Sequence, residues 1–156
     1  MSTLQIILVV IVAFIVGCSS VNDQLETYQP IVACSLIGLV TGHLELGVML
    51  GGSLQLITMG WANVGAAMAP DAALAGVASA IILIEGNQGS QGIGPAIALA
   101  VPLAVAGLGL TMLVRTATVF IAHIMDSRAE EADINGIQMW HFIGVALQGL
   151  RVAIPA

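Results

Sequence analysis

The chain is poor in charge, and above all in positive charge. Only 8% of its 156 residues are charged, lysine is absent, and the basic residues are Arg115, Arg128 and Arg151. Nucleic-acid-binding proteins neutralise phosphates with clustered lysine and arginine, so this composition excludes that class of partner. A secretory signal peptide begins with a positively charged region. Because no basic residue precedes Arg115, we expect the apolar N-terminal run to remain as an uncleaved membrane helix.

Cysteine and histidine are also scarce. Cys18 and Cys34 lie in or beside apolar runs without metal-ligand spacing, which is typical of small packed side chains. His43 and Glu45 are too few to hold a metal, and no serine or cysteine falls into a recognisable catalytic triad. The sequence therefore predicts no cofactor, no metal site and no catalytic residue.

Apolar residues, in contrast, are abundant. They make up 58% of the chain, and the mean hydropathy is +1.04. Soluble domains carry about 25% charged residues, and a core of this size could not bury so much apolar surface. The composition predicts an all-α integral membrane protein, with residues 1–156 as a single membrane domain.

Two apolar runs are candidates for membrane-spanning helices. These are Leu4–Cys18 and the charge-free run Ile93–Val114. A charged segment, Asp126–Gln138, follows the second run and is expected to form an extended loop.

Two other apolar runs are too short to cross a bilayer unaided, since a spanning helix needs about 20 residues. They are Ile31–Gly42 and Leu46–Gly60, and the second is expected to be interrupted at Gly51-Gly52-Ser53. Short, glycine-interrupted runs are typical of the broken or re-entrant helices of transporters. We therefore expect such segments here.

The stretch Gly51–Ala75 combines apolar character with helix breakers and polar side chains. Polar groups are costly inside a membrane, and non-helical backbone persists there only if it is buried in protein or lines a wet cavity. Amide and carboxylate groups can bridge neighbouring hydroxyls of a sugar. The sequence predicts a cavity lined by four residues of this stretch: Gln55, Trp61, Asn63 and Asp71.

Each of these residues also has a structural interpretation. Asp71 could cap a helix over 72–84, and Asn63 could hold irregular backbone in place. Gln55 could join two helices through a hydrogen bond, and Trp61 could anchor at the membrane interface. Glu85, a further candidate, could be a solvated helix end. The residues alone leave both interpretations open.

Several segments together resemble one family, the IIC membrane component of the mannose/fructose/sorbose-type bacterial sugar phosphotransferase system. The resemblance extends along almost the whole chain, and residues 60–75 resemble its mannose/glucose branch more than its amino-sugar branches. The matching segments are Gly51-Gly-Ser-Leu-Gln-Leu56, Gly60-Trp-Ala-Asn-Val-Gly65, Ala69-Pro-Asp-Ala-Ala-Leu-Ala75, Val114-Arg-Thr116 and Leu150-Arg-Val-Ala-Ile-Pro155.

The resemblance implies a sugar-translocating subunit and not an enzyme. It implies a multi-pass protein of the bacterial cytoplasmic membrane that works with a second membrane subunit, IID, in a higher oligomer. The pair would import a hexose such as mannose or glucose, and a cytosolic IIAB component would phosphorylate it. Family members also serve as bacteriocin receptors. Because IIC components continue beyond residues 150–155, we expect this chain to be the N-terminal portion of one.

The resemblance also adds two weaker candidates for sugar binding: Gln5, at the start of the first apolar run, and Asp23, which follows that run. The alternative function is that of a structural or receptor membrane subunit without a substrate site. In that case the polar residues of Gly51–Ala75 would only hold helices together.

Overall fold

In the computed structural model, which describes residues 1–22, 26–65 and 67–156, the chain forms a bundle of six α-helices. A 3₁₀ turn, Gly89–Gly92, precedes the fifth helix, and an isolated bridge, Val64–Ala67, is the one strand-like pairing within the described ranges. The all-α prediction is confirmed. The helices are α1 (Thr3–Asn22), α2 (Pro30–Thr41), α3 (Leu44–Thr58), α4 (Ala72–Glu85), α5 (Ile93–Glu130) and α6 (Ile134–Ala153).

Within the described ranges, two helices are long and apolar enough to cross a membrane. They are α1 and the continuous helical segment Gly89–Glu130 that contains α5. Both were predicted from their apolar runs, but α5 extends well past Val114 and reaches 38 residues. Pro102 lies inside α5.

The expected extended loop at Asp126–Gln138 is wrong. Helix α5 continues to Glu130 and α6 begins at Ile134, so a turn of three residues joins them. The charges of this segment stabilise the two helix ends. Arg128 forms an ion pair with Glu131, and Asp133 Oδ1 accepts a hydrogen bond from Gly136 N at 3.0 Å as the N-cap of α6.

Helices α2 and α3 correspond to the two short apolar runs of the sequence and form a hairpin. Pro30 occupies the first turn of α2, and Gly42 ends that helix in the left-handed conformation at φ +84°. Both positions suit these residues, since proline lacks an N–H that the first turn would leave unpaired and glycine tolerates positive φ.

The expected interruption of α3 at Gly51-Gly52-Ser53 is wrong, because the helix is continuous there. A Cβ at residue 51 would lie 2.8 Å from both Pro30 O and Ile31 Cα. The glycine therefore allows α2 and α3 to pack backbone against backbone, as small residues do between membrane helices.

Between α3 and α4 the backbone is irregular, as predicted. Residues 59–71 contain no helix among those the structure describes, and the bridge between Val64 and Ala67 closes a turn. Helix α4 then begins at Ala72 with Asp71 as its N-cap. The predicted start of this helix is confirmed.

Helix α6 packs against α1 through small residues. Cys18 Sγ donates a hydrogen bond to Val145 O at 3.5 Å, and a Cβ at Gly17 would lie 2.7 Å from Gln148 O. This close contact brings the last turn of α6 beside the last turn of α1, so that Arg151 lies next to Ser20.

Candidate functional site

Four helices meet at a buried ion pair. The carboxylate of Asp71, at the start of α4, pairs through Oδ2 with Arg151 Nη1 on α6, and both side chains are about one-twentieth exposed. Thr111 on α5 accepts a hydrogen bond from the same nitrogen of Arg151. Ser20 on α1 accepts one from Arg151 Nη2 at 3.0 Å. A charged group buried in an apolar bundle is costly unless it is paired, so these residues form one mutually dependent network.

Asp71 also joins α4 to α5 through its backbone. Its N–H donates to Ala104 O at 3.0 Å, and its Oδ1 accepts from Leu74 N at 3.2 Å. A Cβ at residue 107 would lie 2.9 Å from Asp71 Cβ, so glycine there allows this close approach. Asp71 therefore acts as a helix cap and as an ion-pair partner at once.

A cavity of about 370 Å³ opens beside this network. Three of the predicted site residues, Trp61, Asn63 and Asp71, line it together. Asn63 Oδ1 accepts a hydrogen bond from Ala69 N at 2.8 Å and thereby holds the irregular segment in place. The other polar or aromatic lining residues are Ser20, Tyr28, Thr111, Arg115, Gln148 and Arg151.

Gln55 lies in a neighbouring cavity of about 230 Å³. Tyr28, Trp61 and Ala72 line both cavities and separate them. The Gln55 side chain donates to Gln29 Oε1 and accepts from Ile31 N at 3.4 Å. These bonds join α3 to the start of α2. They agree with the structural interpretation of Gln55, in which its side chain connects two helices.

Gln5 and Glu85 lie away from both cavities. Glu85 ends α4, whereas Asp71 caps its start, and a helix of 14 residues is about 20 Å long. Glu85 Oε1 forms an ion pair with the N-terminal amine of Met1 at 3.1 Å. Gln5 Nε2 donates to Thr41 O at 3.1 Å. Asp23 lies outside the described residues.

Sequence reasoning missed several lining residues, of which Arg151 is the most informative. A signal for it was present, because a lone arginine in an apolar run needs a buried partner. Asp71 is the one acidic residue of the Gly51–Ala75 stretch, and it could have been predicted as the partner of Arg151. Thr111 and Ser20 gave no such signal, since hydroxyls in apolar helices commonly bond to their own backbone. No group of three or more potential metal-binding side chains occurs in the described part of the chain.

Comparison with known proteins shows close relatives along the whole chain. A sequence model of the family "PTS system sorbose-specific IIC component" matches residues 3–156. The chain is 52% identical over 155 residues to the fructose permease IIC component of Bacillus subtilis (strain 168). It is 48% identical over 155 residues to the PTS system mannose-specific EIIC component of Escherichia coli (strain K12). These alignments cover 99% of this chain but 56% and 57% of the relatives, so the chain spans little more than half their length.

A solved structure agrees with this relationship. The bundle superimposes on a chain of the cryo-electron microscopy structure of the mannose transporter ManYZ in complex with microcin E492. The TM-score is 0.93 at 47% sequence identity, over 99% of this chain and 61% of that one. The family match, the relatives and the shared helical bundle agree, and the chain belongs to the family of PTS system sorbose-specific IIC components.

Proposed function

We propose that this chain is part of a membrane subunit that translocates a hexose. The observation that carries the proposal is the cavity beside the Asp71–Arg151 pair, where polar groups converge inside an otherwise apolar bundle. A solute rich in hydroxyl groups is the kind of ligand that such a lining recognises. The irregular backbone of residues 61–63 and 68–71 contributes to this lining, as expected for a transporter.

The cavity also has unused hydrogen-bonding capacity. Among the described residues, Asn63 Nδ2 and the Tyr28 hydroxyl have no hydrogen-bond partner, although both residues line the cavity. Trp61 lines it as well, and its ring can cover the apolar face of a sugar. Asp71, in contrast, is already bound to Arg151 and Leu74. We therefore assign direct sugar contact to Asn63 and Trp61, and the positioning of the cavity wall to Asp71.

Relatives named for different sugars are about equally similar to this chain. They include a sorbose-specific component of Klebsiella pneumoniae at 52% identity, beside the fructose and mannose components. We propose mannose or glucose as substrate, because residues 60–75 resemble that branch, with a IID subunit and a cytosolic IIAB component as partners. Competition of unlabelled mannose, glucose, fructose and sorbose against labelled mannose would identify the sugar.

Hexose uptake by cells that express the protein with its membrane partner tests the proposal. Asn63→Ala and Trp61→Ala should reduce uptake of radiolabelled mannose at unchanged membrane levels. Arg128→Gln is the matched control, because Arg128 is exposed on α5 and lies outside the cavity. Full uptake by both cavity variants would overturn the assignment of the site.

A structural or receptor subunit is the second candidate. The observation that favours it is that the Asp71 carboxylate and Asn63 Oδ1 already bond within the chain. In that case Asn63→Ala and Asp71→Asn would weaken co-purification with the second membrane subunit and leave sugar affinity unchanged. Titration calorimetry with mannose, beside co-purification, distinguishes the two functions.

A further inference from the structure

A further cavity, of about 250 Å³, lies between the end of α1 and the two antiparallel helices α5 and α6. We call it the hairpin cavity. It adjoins the cavity beside Asp71, since Val21 and Gln148 line both, but the proposed hexose site uses none of its other residues. Ligand sites typically measure about 300–1,000 Å³. The hairpin cavity therefore fits a small ring and is too small for a whole phospholipid.

One end of the hairpin cavity presents a buried amide, that of Gln148 on α6. Gln148 is 8% exposed, and within the described ranges its side chain has no hydrogen-bond partner. Buried polar side chains are almost always hydrogen-bonded, and one that is not destabilises the fold. This amide therefore indicates a ligand that carries a hydrogen-bonding group.

A second polar group lines the hairpin cavity two helical turns away. His141 precedes Gln148 by seven residues on α6, so the two share a helix face and lie about 10 Å apart along its axis. In the described part of the chain, the ring of His141 forms no hydrogen bond. Between these two groups the wall is apolar, with Ile121 and Met125 on α5 and Val145 on α6. A matching ligand has an apolar body and a hydrogen-bonding group at each end.

The surroundings of the hairpin cavity are also apolar. Phe120 and Phe142, each next in the chain to a lining residue, are 68% and 70% exposed. Exposed apolar surface of this kind in a membrane protein meets lipid or another membrane-embedded surface. Trp140 lines the cavity as well, and an aromatic side chain favours stacking with a flat ring. These features favour a flat ligand that is dissolved in the bilayer.

We propose that the hairpin cavity binds the ring of a membrane quinone. One carbonyl of the ring accepts a hydrogen bond from the amide of Gln148, the opposite carbonyl accepts one from His141, and the ring lies against Trp140. A para-quinone carries one acceptor at each end of a flat apolar ring, which matches two donors at the ends of an apolar wall. Binding is reversible and transfers no electron. The proposal is independent of the proposed hexose site.

The test is equilibrium binding of tritium-labelled duroquinone (tetramethyl-1,4-benzoquinone) to the purified protein with its membrane partner in nanodiscs, with empty nanodiscs as the blank. The wild type should bind it saturably. Durene, the same tetramethyl ring without carbonyl groups, should compete only at about 30-fold higher concentration, because two hydrogen bonds are lost. Gln148→Leu and His141→Phe should each weaken duroquinone binding about fivefold and leave the durene concentration for half-competition unchanged relative to its own affinity for the ring.

A glycine of α6 supplies a variant that fills the hairpin cavity. Gly144 lines it, and a Cβ at residue 144 would have no atom within 4 Å. Gly144→Leu should therefore abolish duroquinone binding without displacing other side chains. Gly109→Leu is the matched control, because a Cβ at Gly109 on α5 is equally unobstructed but lies outside the cavity. It should bind duroquinone as the wild type does, and circular dichroism should show unchanged helix content in both variants.

Other outcomes overturn the inference. Equal affinity of the wild type for duroquinone and durene would show that the cavity selects apolar volume and not a quinone. Saturable binding that persists in Gly144→Leu would place the ligand elsewhere. Absence of saturable binding in the wild type would refute the site altogether. If Gln148→Leu loses helix content, His141→Phe still decides, because His141 is an exposed residue; full affinity in that variant would refute the assigned hydrogen bond.

Discussion

Asp71 and Arg151, which lie 80 residues apart in the chain, form a buried ion pair that connects the start of α4 to the end of α6. It is the one ion pair in the described part of the chain whose two side chains are both less than a tenth exposed. Ser20 and Thr111 add hydrogen bonds from α1 and α5. The wall of the candidate sugar site therefore depends on all four helices being in place.

Removal of either charge should destabilise the protein strongly. Loss of one partner leaves the other as an uncompensated buried charge, which typically costs about 3–5 kcal/mol. We expect such losses for Asp71→Asn and Arg151→Gln. The double variant should be less destabilised than the sum of the two. Denaturant unfolding of the purified protein in detergent measures all three.

Arg128→Gln provides the control for these two single variants and their double variant. Arg128 is paired with Glu131, but both side chains are about half exposed, and exposed pairs contribute about 0–1 kcal/mol. Additive effects of Asp71→Asn and Arg151→Gln would contradict a direct interaction between the two side chains.

Substitution by alanine should change the stability of the protein in opposite directions at two adjacent glycines of α3, Gly51 and Gly52. A Cβ at Gly51 would meet the backbone of α2 at 2.8 Å, whereas a Cβ at Gly52 would have no atom within 4 Å. Overpacking costs about 1–3 kcal/mol, so Gly51→Ala should lower the unfolding midpoint. Gly52→Ala should raise it slightly, because alanine is favoured over glycine in a helix by about 1 kcal/mol. Equal shifts for both variants would contradict the close packing of α2 on α3.

The helices were predictable mainly where local signals agree. Pro30 and Asp71 mark the starts of α2 and α4 because the missing N–H of one and the carboxylate of the other suit a first turn. The pair Gly51-Gly52 led to the wrong prediction of a break in α3. Glycine weakens an isolated helix, but it can also allow two helices to pack closely, as Gly51 does here. The sequence alone does not distinguish these uses.

Three of the nine polar or aromatic residues that line the candidate site were predicted from the sequence, also because local signals agree there. Trp61, Asn63 and Asp71 are close together in the chain and share one irregular segment, so their common location was predictable. Arg115 and Arg151 come from α5 and α6, and their approach depends on how those helices pack. The separation of Gln55 into a second cavity depends on Trp61, whose position between the cavities is a tertiary property.

Two substitutions of Asn63 should distinguish sugar contact from support of the loop. Asn63→Asp retains the oxygen that accepts from Ala69 N but removes the NH₂ group that we assign to the sugar. Asn63→Ala removes both. We expect both variants to lose mannose affinity in calorimetry, and only Asn63→Ala to lose stability, by about 1 kcal/mol. Retained affinity in Asn63→Asp would show that the residue serves the loop alone.

The two predicted site residues far from the cavity, Gln5 and Glu85, provide the last prediction. Glu85→Gln removes the ion pair with the Met1 amine, and Gln5→Ala removes the hydrogen bond to Thr41 O. Since Glu85 is half exposed and lies about one α4 length from Asp71, neither substitution should alter mannose affinity, whereas Trp61→Ala should weaken it. Calorimetry on the three variants, with circular dichroism to verify helix content, measures this. A loss of affinity in Glu85→Gln with intact helix content would mean that the sugar also contacts the opposite end of α4, and that the cavity beside Asp71 is only one of its binding positions.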